Sequence, residues 1–403
     1  MEIRPVTLDE HPDFVRTFFR AMSFPPPEDA AIERMQADFR PERSLAAFDR
    51  DQIVGSADSY LFELTIPGGS QIDVAGVTRV GVLPTHRRRG LLTRLMTRQL
   101  TEARDRGEPV AVLIASESVI YGRFGYGVSS HLVDIEVDTR YRELHRGIEP
   151  TGAVSFVDEE TADKVFPEVH ERWRKQQPGA IPRTDAWWAG GRADRKPGHD
   201  AHLIHEDDSG NVDGYVRYRV NSKWDAGLAA STLDEQDLIC ITPEASLALW
   251  KHMLEVDLVR TVRVQARPVD EPIRWWIANP RALKVTRFGD FFWTRLLDIP
   301  ASLTARRYRA DAELVVHVDD FLFDDNTGGY ALTIANGAGR CERTGAKPDL
   351  EMSVADLGSL YLGGVTASDI ARSGRIRELT EGALEKADAA FSSAPKPWSA
   401  TWF

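Results

Sequence analysis

Between Val80 and Leu92 the chain reads Val-Gly-Val-Leu-Pro-Thr-His-Arg-Arg-Arg-Gly-Leu-Leu, so a strand-like alternation stops and a helix-like one begins around three consecutive arginines and a glycine. A helix start leaves backbone N–H groups unpaired and carries the positive end of the helix macrodipole. Such a junction suits a phosphate or pyrophosphate, and Gly90 lets the backbone approach one closely. The same residues also read as a basic, solvated helix start. Neither G-x-x-x-x-G-K-[ST] nor G-x-G-x-x-G is present, which excludes a nucleotide P-loop and a dinucleotide fingerprint.

The flanks give this junction an α/β setting. Upstream, a helix carrying Phe14, Val15, Phe18 and Phe19 is broken by Pro25, Pro26 and Pro27, and a short amphipathic stretch follows from Ile32 to Phe39. Ser44 to Phe48, Ile53 to Ile66 and Ile72 to Leu83 are rich in β-branched and aromatic residues and bounded by turn residues, which predicts an antiparallel meander. Downstream, Leu92, Leu95, Met96 and Ala103 fall at helical spacing, closed by Gly107 and Pro109. A strand from Val110 to Ala115, a short helix through Tyr121 and a strand from Leu132 to Val137 are expected to finish this first unit.

The order then recurs. A helix from Thr161 to Gln177 and strands near His202 to His205, Tyr215 to Val220 and Leu238 to Ile241 precede a helix that Thr242 caps, with Pro243 in its first turn, before a strand from Thr261 to Gln265. The recurrence suggests an internal duplication. The last hundred or so residues form a different, α+β unit: strands Glu313 to Val318, Leu322 to Phe323 and Tyr330 to Ile334, an apolar segment Leu357 to Leu362, and a helix from Glu378 to Phe391.

Composition bounds the function. With 403 residues, two or three domains are expected, and 42% hydrophobic with 28% charged residues is the make-up of a folded globular chain. A net charge of −12 opposes binding to nucleic acid or anionic membranes and is compatible with a cationic ligand. Cys240 and Cys341 offer no disulfide framework, and the ten histidines include no H-E-x-x-H, so no metal site is expected. The N-terminus MEIRPVTLDEHPDF lacks the apolar run of a secretory signal and no stretch reaches the length of a membrane span, which together predict a cytoplasmic protein.

Val80-x-Val82 followed by Pro84-x-x-Arg87-Arg88-Arg89-Gly90 resembles the acetyl-coenzyme A motif of the GNAT N-acetyltransferases, V-x-V-x-P-x-x-R-[RG]-x-G. Further stretches narrow the likeness: Ala115-Ser-Glu117, Ile120-Tyr-Gly-Arg-Phe-Gly-Tyr-Gly127, Glu171-Arg-Trp-Arg174, Leu357-Gly-Ser-Leu-Tyr-Leu-Gly363 and a final Phe are similar to the Eis family. That resemblance implies mixed α/β sheets in tandem GNAT-like domains followed by a sterol-carrier-protein-like domain, with expected boundaries at 1–147, 148–294 and 295–403, assembled as a homo-hexamer.

The resemblance also implies roles. Val80, Gly81 and Val82 pair through their backbone with the pantetheine arm of acetyl-CoA. Arg87, Arg88, Arg89, Gly90, Leu91, Leu92 and Thr93 surround the pyrophosphate, and Ser116 and Glu117 complete the cofactor contacts. Tyr121 is the general acid that protonates the departing thiolate; its alternative is a packed aromatic, the part assigned to Tyr126. The base is the C-terminal carboxylate, here that of Phe403, which one further residue would misplace. A frayed tail is the alternative, and Trp398, Trp402 and Phe403 argue against it, since a solvated tail has no use for three large aromatics.

Two departures bear on function. In the second unit the matching junction, Ile241-Thr-Pro-Glu-Ala-Ser246, lacks Arg-Arg-x-Gly and places Glu244 where phosphate would be repelled, so no acetyl-CoA is expected there. Trp402 stands where aminoglycoside-modifying relatives carry a carboxylate, so the acceptor is expected to be a primary amine of aminoglycoside, polyamine or lysine type without aminoglycoside activity being assumed. The rival reading is a non-catalytic acetyl-CoA-binding or lipid-carrying protein, against which Asp319, Asp320, Asp324 and Asp325 argue by breaking any apolar tunnel.

Overall fold

A computed structural model describes residues 1–193 and 200–403, which form three main sheets with helices packed on them. The first sheet orders its strands Glu2–Pro5, Leu45–Asp49, Gln52–Thr65, Gln71–Val82, Val110–Ile114, Phe292–Leu296 and Gly127–Val128. Neighbours are antiparallel except Gln71–Val82 and Val110–Ile114. A parallel pair needs a crossover, and the helix Leu91–Asp105 supplies it, burying Leu91, Leu95, Met96, Leu100 and Ala103.

That parallel pairing is brief. It joins Val74 to Val110, Ala75 to Ala111 and Gly76 to Val112, after which the strands part. A bulge assists the parting: Ser56 faces Gly81 and Asp58 faces Thr78, so Ala57 alone opposes both Arg79 and Val80. Arg79 takes a left-handed conformation there, φ 47°, and side chains hold it. Its guanidinium donates to Asp58 Oδ2 at 2.6 Å and Tyr60 Oη at 2.5 Å, and Ser56 Oγ donates to its carbonyl at 2.7 Å.

The second sheet repeats the plan, in the order Leu283–Asp290, His131–Asp138, Val259–Pro268, Ser231–Cys240, Val212–Asn221, Ala201–Glu206 and Ala153–Phe156. Its one parallel pair, Ser231–Cys240 with Val259–Pro268, is bridged by the helix Pro243–Glu255. Sheet membership departs from expectation at one place. The strand expected to finish the first unit, His131–Asp138, lies in the second sheet, and Phe292–Leu296 enters the first sheet in exchange. Alternation in Val133, Ile135 and Val137 marks a half-buried strand but carries no information about its partner.

The third sheet runs Ala338–Thr344, Gly328–Ala335, Ala312–Asp319, Leu350–Ser353, Arg377–Glu378. The strand expected at Leu322 to Phe323 is instead a turn, because Asp320 Oδ1 accepts the backbone N–H groups of both residues, at 3.0 and 3.2 Å. The last helix begins at Ala383 rather than Glu378, after Gly382 in a left-handed conformation and with Glu378 paired to Leu350. The apolar segment Leu357 to Leu362 falls mostly in the helix Val354–Tyr361, which is buried on every side and started by a capping box of Ser353 and Asp356.

Two glycines let that helix press onto the first sheet. A Cβ on Gly127 would fall 1.8 Å from the Ala355 carbonyl oxygen, and one on Gly358 would fall 2.2 Å from the Thr294 carbonyl oxygen. Phe62, Val112, Leu296, Leu314, Val316 and Leu357 consequently share one core. Each such fully buried side chain contributes roughly 1.5–3 kcal/mol. Among the described residues, no helix is long and apolar enough to cross a membrane.

Candidate active site

Where the first sheet parts, a cavity of about 370 Å3 opens between the strand end and the helix Leu91–Asp105. Val80, Gly81, Val82, Arg87, Arg88, Gly90, Leu91, Leu92, Thr93, Ser116, Glu117 and Tyr121 all line it. The helix begins on Gly90 in a left-handed conformation, φ 73°, and among the described residues no side chain caps its N–H groups. These donors are therefore free for an anion.

The three arginines part company. Arg87 lines the cavity but spends its guanidinium on the Ala21 carbonyl at 2.9 Å and the Val82 carbonyl at 3.2 Å, clasping the loop to the N-terminal helix. Arg89 turns back to the Thr85 carbonyl at 3.2 Å and is not among the lining residues. Arg88 lines the cavity, and no hydrogen bond or ion pair holds its guanidinium among the described residues. His86, which reads from sequence as helix-start surface, lies at the same mouth with Nε2 3.2 Å from Asp49 Oδ2.

Tyr121 and Tyr126 are neighbours, with ring centroids 6.2 Å apart at 76°, yet differ in access. Tyr121 faces the cavity, and burial raises its phenol above the ordinary value while a hydrogen bond with Ser116 opposes the rise. Tyr126 is 1% exposed, lies outside the lining, and its hydroxyl has no hydrogen-bond partner among the described residues. A phenol kept protonated at a cavity wall can give up a proton, which an enclosed one is not placed to do.

A second cavity, about 350 Å3, backs onto the first at the bulge, so that consecutive residues Arg79 and Val80 line one each. Tyr60, Phe62, Trp187, Trp402 and Phe403 give it aromatic walls, and Asp38 is its one side-chain carboxylate among the described residues. Thr184 Oγ1 donates to Asp38 Oδ2 at 2.9 Å and so joins the two halves of the molecule across the pocket.

The tail that brings Phe403 here is pinned along its length. Gln177 Nε2 donates to the Lys396 carbonyl at 2.7 Å, the Trp398 N–H to the Pro178 carbonyl at 2.8 Å, and Arg183 Nη2 to the Ala400 carbonyl at 2.9 Å. Arg183 is itself fixed by Asp237, with N–O distances of 2.7 and 3.1 Å. Trp402 packs on Phe291, ring centroids 4.8 Å apart.

Comparison with known proteins decides the family. Residues 2–129 and 179–296 each match an acetyltransferase (GNAT) domain and residues 299–400 a sterol carrier protein domain. An uncharacterized N-acetyltransferase of Streptomyces avermitilis is 34% identical over 420 residues, covering 100% of this chain and 99% of its own. The N-acetyltransferase Eis of Mycobacterium tuberculosis is 35% identical over 351 residues, 85% of this chain and 84% of its own. The crystal structure of Eis1 from Mycobacterium abscessus superposes with a TM-score of 0.90 at 36% identity, over 100% of both chains.

The chain belongs to the Eis family of N-acetyltransferases.

Within this Eis-family enzyme the second GNAT domain lacks the features of the first. Its crossover helix is capped by its own sequence: Thr242 Oγ1 accepts the Ala245 N–H at 3.1 Å and donates to Asp213 Oδ2 at 2.5 Å, which sets a carboxylate at the helix start. Anion binding there is opposed by charge and by the occupied donors.

Some site residues carry no signal in the sequence. Ala21 and Met22 reach the first cavity because Arg87 ties their helix end to the loop, and Asp38 reaches the second pocket through Thr184. Both contacts are long-range. Trp187 lines the pocket as well, and the sequence reading gave it no role.

Proposed function

We propose that this enzyme transfers an acetyl group from acetyl-CoA directly to a primary amine. The observation that carries this reading is the uncapped helix start on Gly90 opening into a cavity that Tyr121 also lines. The chain fits the co-substrate: free N–H donors and Arg88 match a pyrophosphate, and strand residues 77–82, unpaired on the parted side, match an amide-bearing arm. When bound, acetyl-CoA supplies an activated thioester carbonyl and a thiolate leaving group.

Tyr121 holds a proton at Oη for the departing sulfur, whose basicity is comparable to a phenol's. The Phe403 α-carboxylate takes the proton lost by the amine nitrogen. An α-carboxyl ordinarily titrates at about 3.5 and is a weak base; Phe62, Tyr60 and Phe292 pack around the Phe403 ring and hold the last residue in the second pocket.

For the acceptor, one side-chain carboxylate beside Arg34 and Arg79 disfavours a polycation, and the aromatic walls favour a lysine-type or simple amine. A homo-hexamer in the cytoplasm completes the reading; the unpaired sheet edge Leu283–Asp290, with Val285 and Phe288 exposed, offers a surface for assembly. The test is thiol release from acetyl-CoA against a panel of amines, peptides and aminoglycosides. Amine-dependent release that collapses in Tyr121→Phe supports the reading, and release indifferent to every amine contradicts it.

A further inference from the structure

The second domain repeats the parting of strands that makes the donor cavity. Ser231–Cys240 and Val259–Pro268 pair only from Ser231 and Val259 to Asp234 and Arg263, and then diverge. Here side chains cross the gap. Arg267 Nη1 donates to the Leu238 carbonyl of the facing strand at 2.7 Å, and its Nε donates to Glu271 at 2.9 Å. Glu271 also accepts Trp250 Nε1 from the crossover helix at 2.8 Å.

Onto this bridge the C-terminal segment lays Trp398. The Arg267 guanidinium sits 4.7 Å from its ring centroid, Trp173 meets it edge-on at 5.2 Å, and its Nε1–H donates to the Ala266 carbonyl at 2.7 Å. Ala266 belongs to a bulge, φ 52°, where Asp134 bonds its N–H at 2.8 Å. Trp398 is 5% exposed and lies in the wall of the opening, a cavity of about 420 Å3. From Trp398 to Phe403 the chain can span at most roughly 17 Å, so this anchor bounds where the last residue can lie.

We propose that the second domain has turned its counterpart of the donor cleft into a socket for the C-terminal segment, with Trp398 a positioning residue that sets the place of Phe403 in the acceptor pocket. Trp398 touches neither reacting group and acts through the tail alone. The proposal rests on the reading of the Phe403 carboxylate as base.

The experiment compares the full-length enzyme with Trp398→Ala, with one alanine added after Phe403, and with both changes together, measuring kcat, KM for acetyl-CoA, coenzyme A affinity and Tm. Trp398→Ala is expected to lower kcat at least tenfold while KM for acetyl-CoA and coenzyme A affinity stay within twofold. The double variant is expected to be no slower than the extended one, because both changes remove the same placed carboxylate. Losses that multiply, or a folded Trp398→Ala at full rate beside a slow extended enzyme, overturn the socket while leaving the base reading intact. An extended enzyme at full rate overturns the base reading itself, and the socket's catalytic role with it. If the alanine variant does not fold, Trp398→Phe, which keeps an aromatic ring on Arg267 but loses the Nε1 donor, runs the same cycle with a smaller expected factor.

Discussion

The ring of Phe403 meets Phe62 edge to face, with centroids 4.9 Å apart at 72°, directly over Gly76. Gly76 is the last residue paired across the parallel strands, so the tail end rests where the cleft begins. A Cβ on Gly76 would stand 2.4 Å from the Phe62 ring and 3.4 Å from Phe403. Gly76→Ala therefore overpacks this contact, costing about 1–3 kcal/mol and displacing Phe403. Steady-state kinetics should show a fall in kcat with an unchanged KM for acetyl-CoA.

The two tyrosines are separable. Tyr121→Phe should lower kcat by roughly 10²–10⁴ with coenzyme A affinity retained. Tyr126→Phe should keep its rate and gain stability, by about 1 kcal/mol in thermal unfolding, since it deletes a buried hydroxyl without a partner.

Burial favours the neutral phenol of Tyr121, so its titration lies above the ordinary value of 10.0. On the proposed general-acid role the protonated form is the working form, and it is lost only as pH rises through that raised value. With both substrates saturating, any fall in kcat from this group should be centred above pH 10. A fall centred below pH 10 that disappears in Tyr121→Phe would contradict the burial argument.

Arg88 and Arg89 are adjacent but should behave differently. Removing the free guanidinium in Arg88→Ala should raise KM for acetyl-CoA about tenfold, the worth of a charge-assisted hydrogen bond. Arg89→Ala, which breaks only a bond to Thr85, should change it less than twofold.

Much of this was legible in the sequence, and the exceptions have a common cause. The donor loop was readable because Val80 to Thr93 are contiguous and local chemistry dictates a strand, a turn and a helix start. The Gly127 and Gly358 motifs were visible as sequence, while their purpose, two close backbone approaches, appears only when the helix Val354–Tyr361 meets Thr294. Periodicity identified His131–Asp138 as a strand and could not assign its sheet, because pairing is set by residues more than a hundred positions away. The same limit hid Asp38 and the clasp of Arg87 on Ala21, whose partners lie 146 and 66 positions away.

The central claim is that transfer depends on a carboxylate placed by the last residue. The most direct measurement is amine-dependent thiol release by the enzyme carrying one added alanine after Phe403, with coenzyme A affinity as the control. The expected result is a kcat reduced at least a hundredfold with unchanged coenzyme A binding; full turnover by the extended enzyme would contradict the claim.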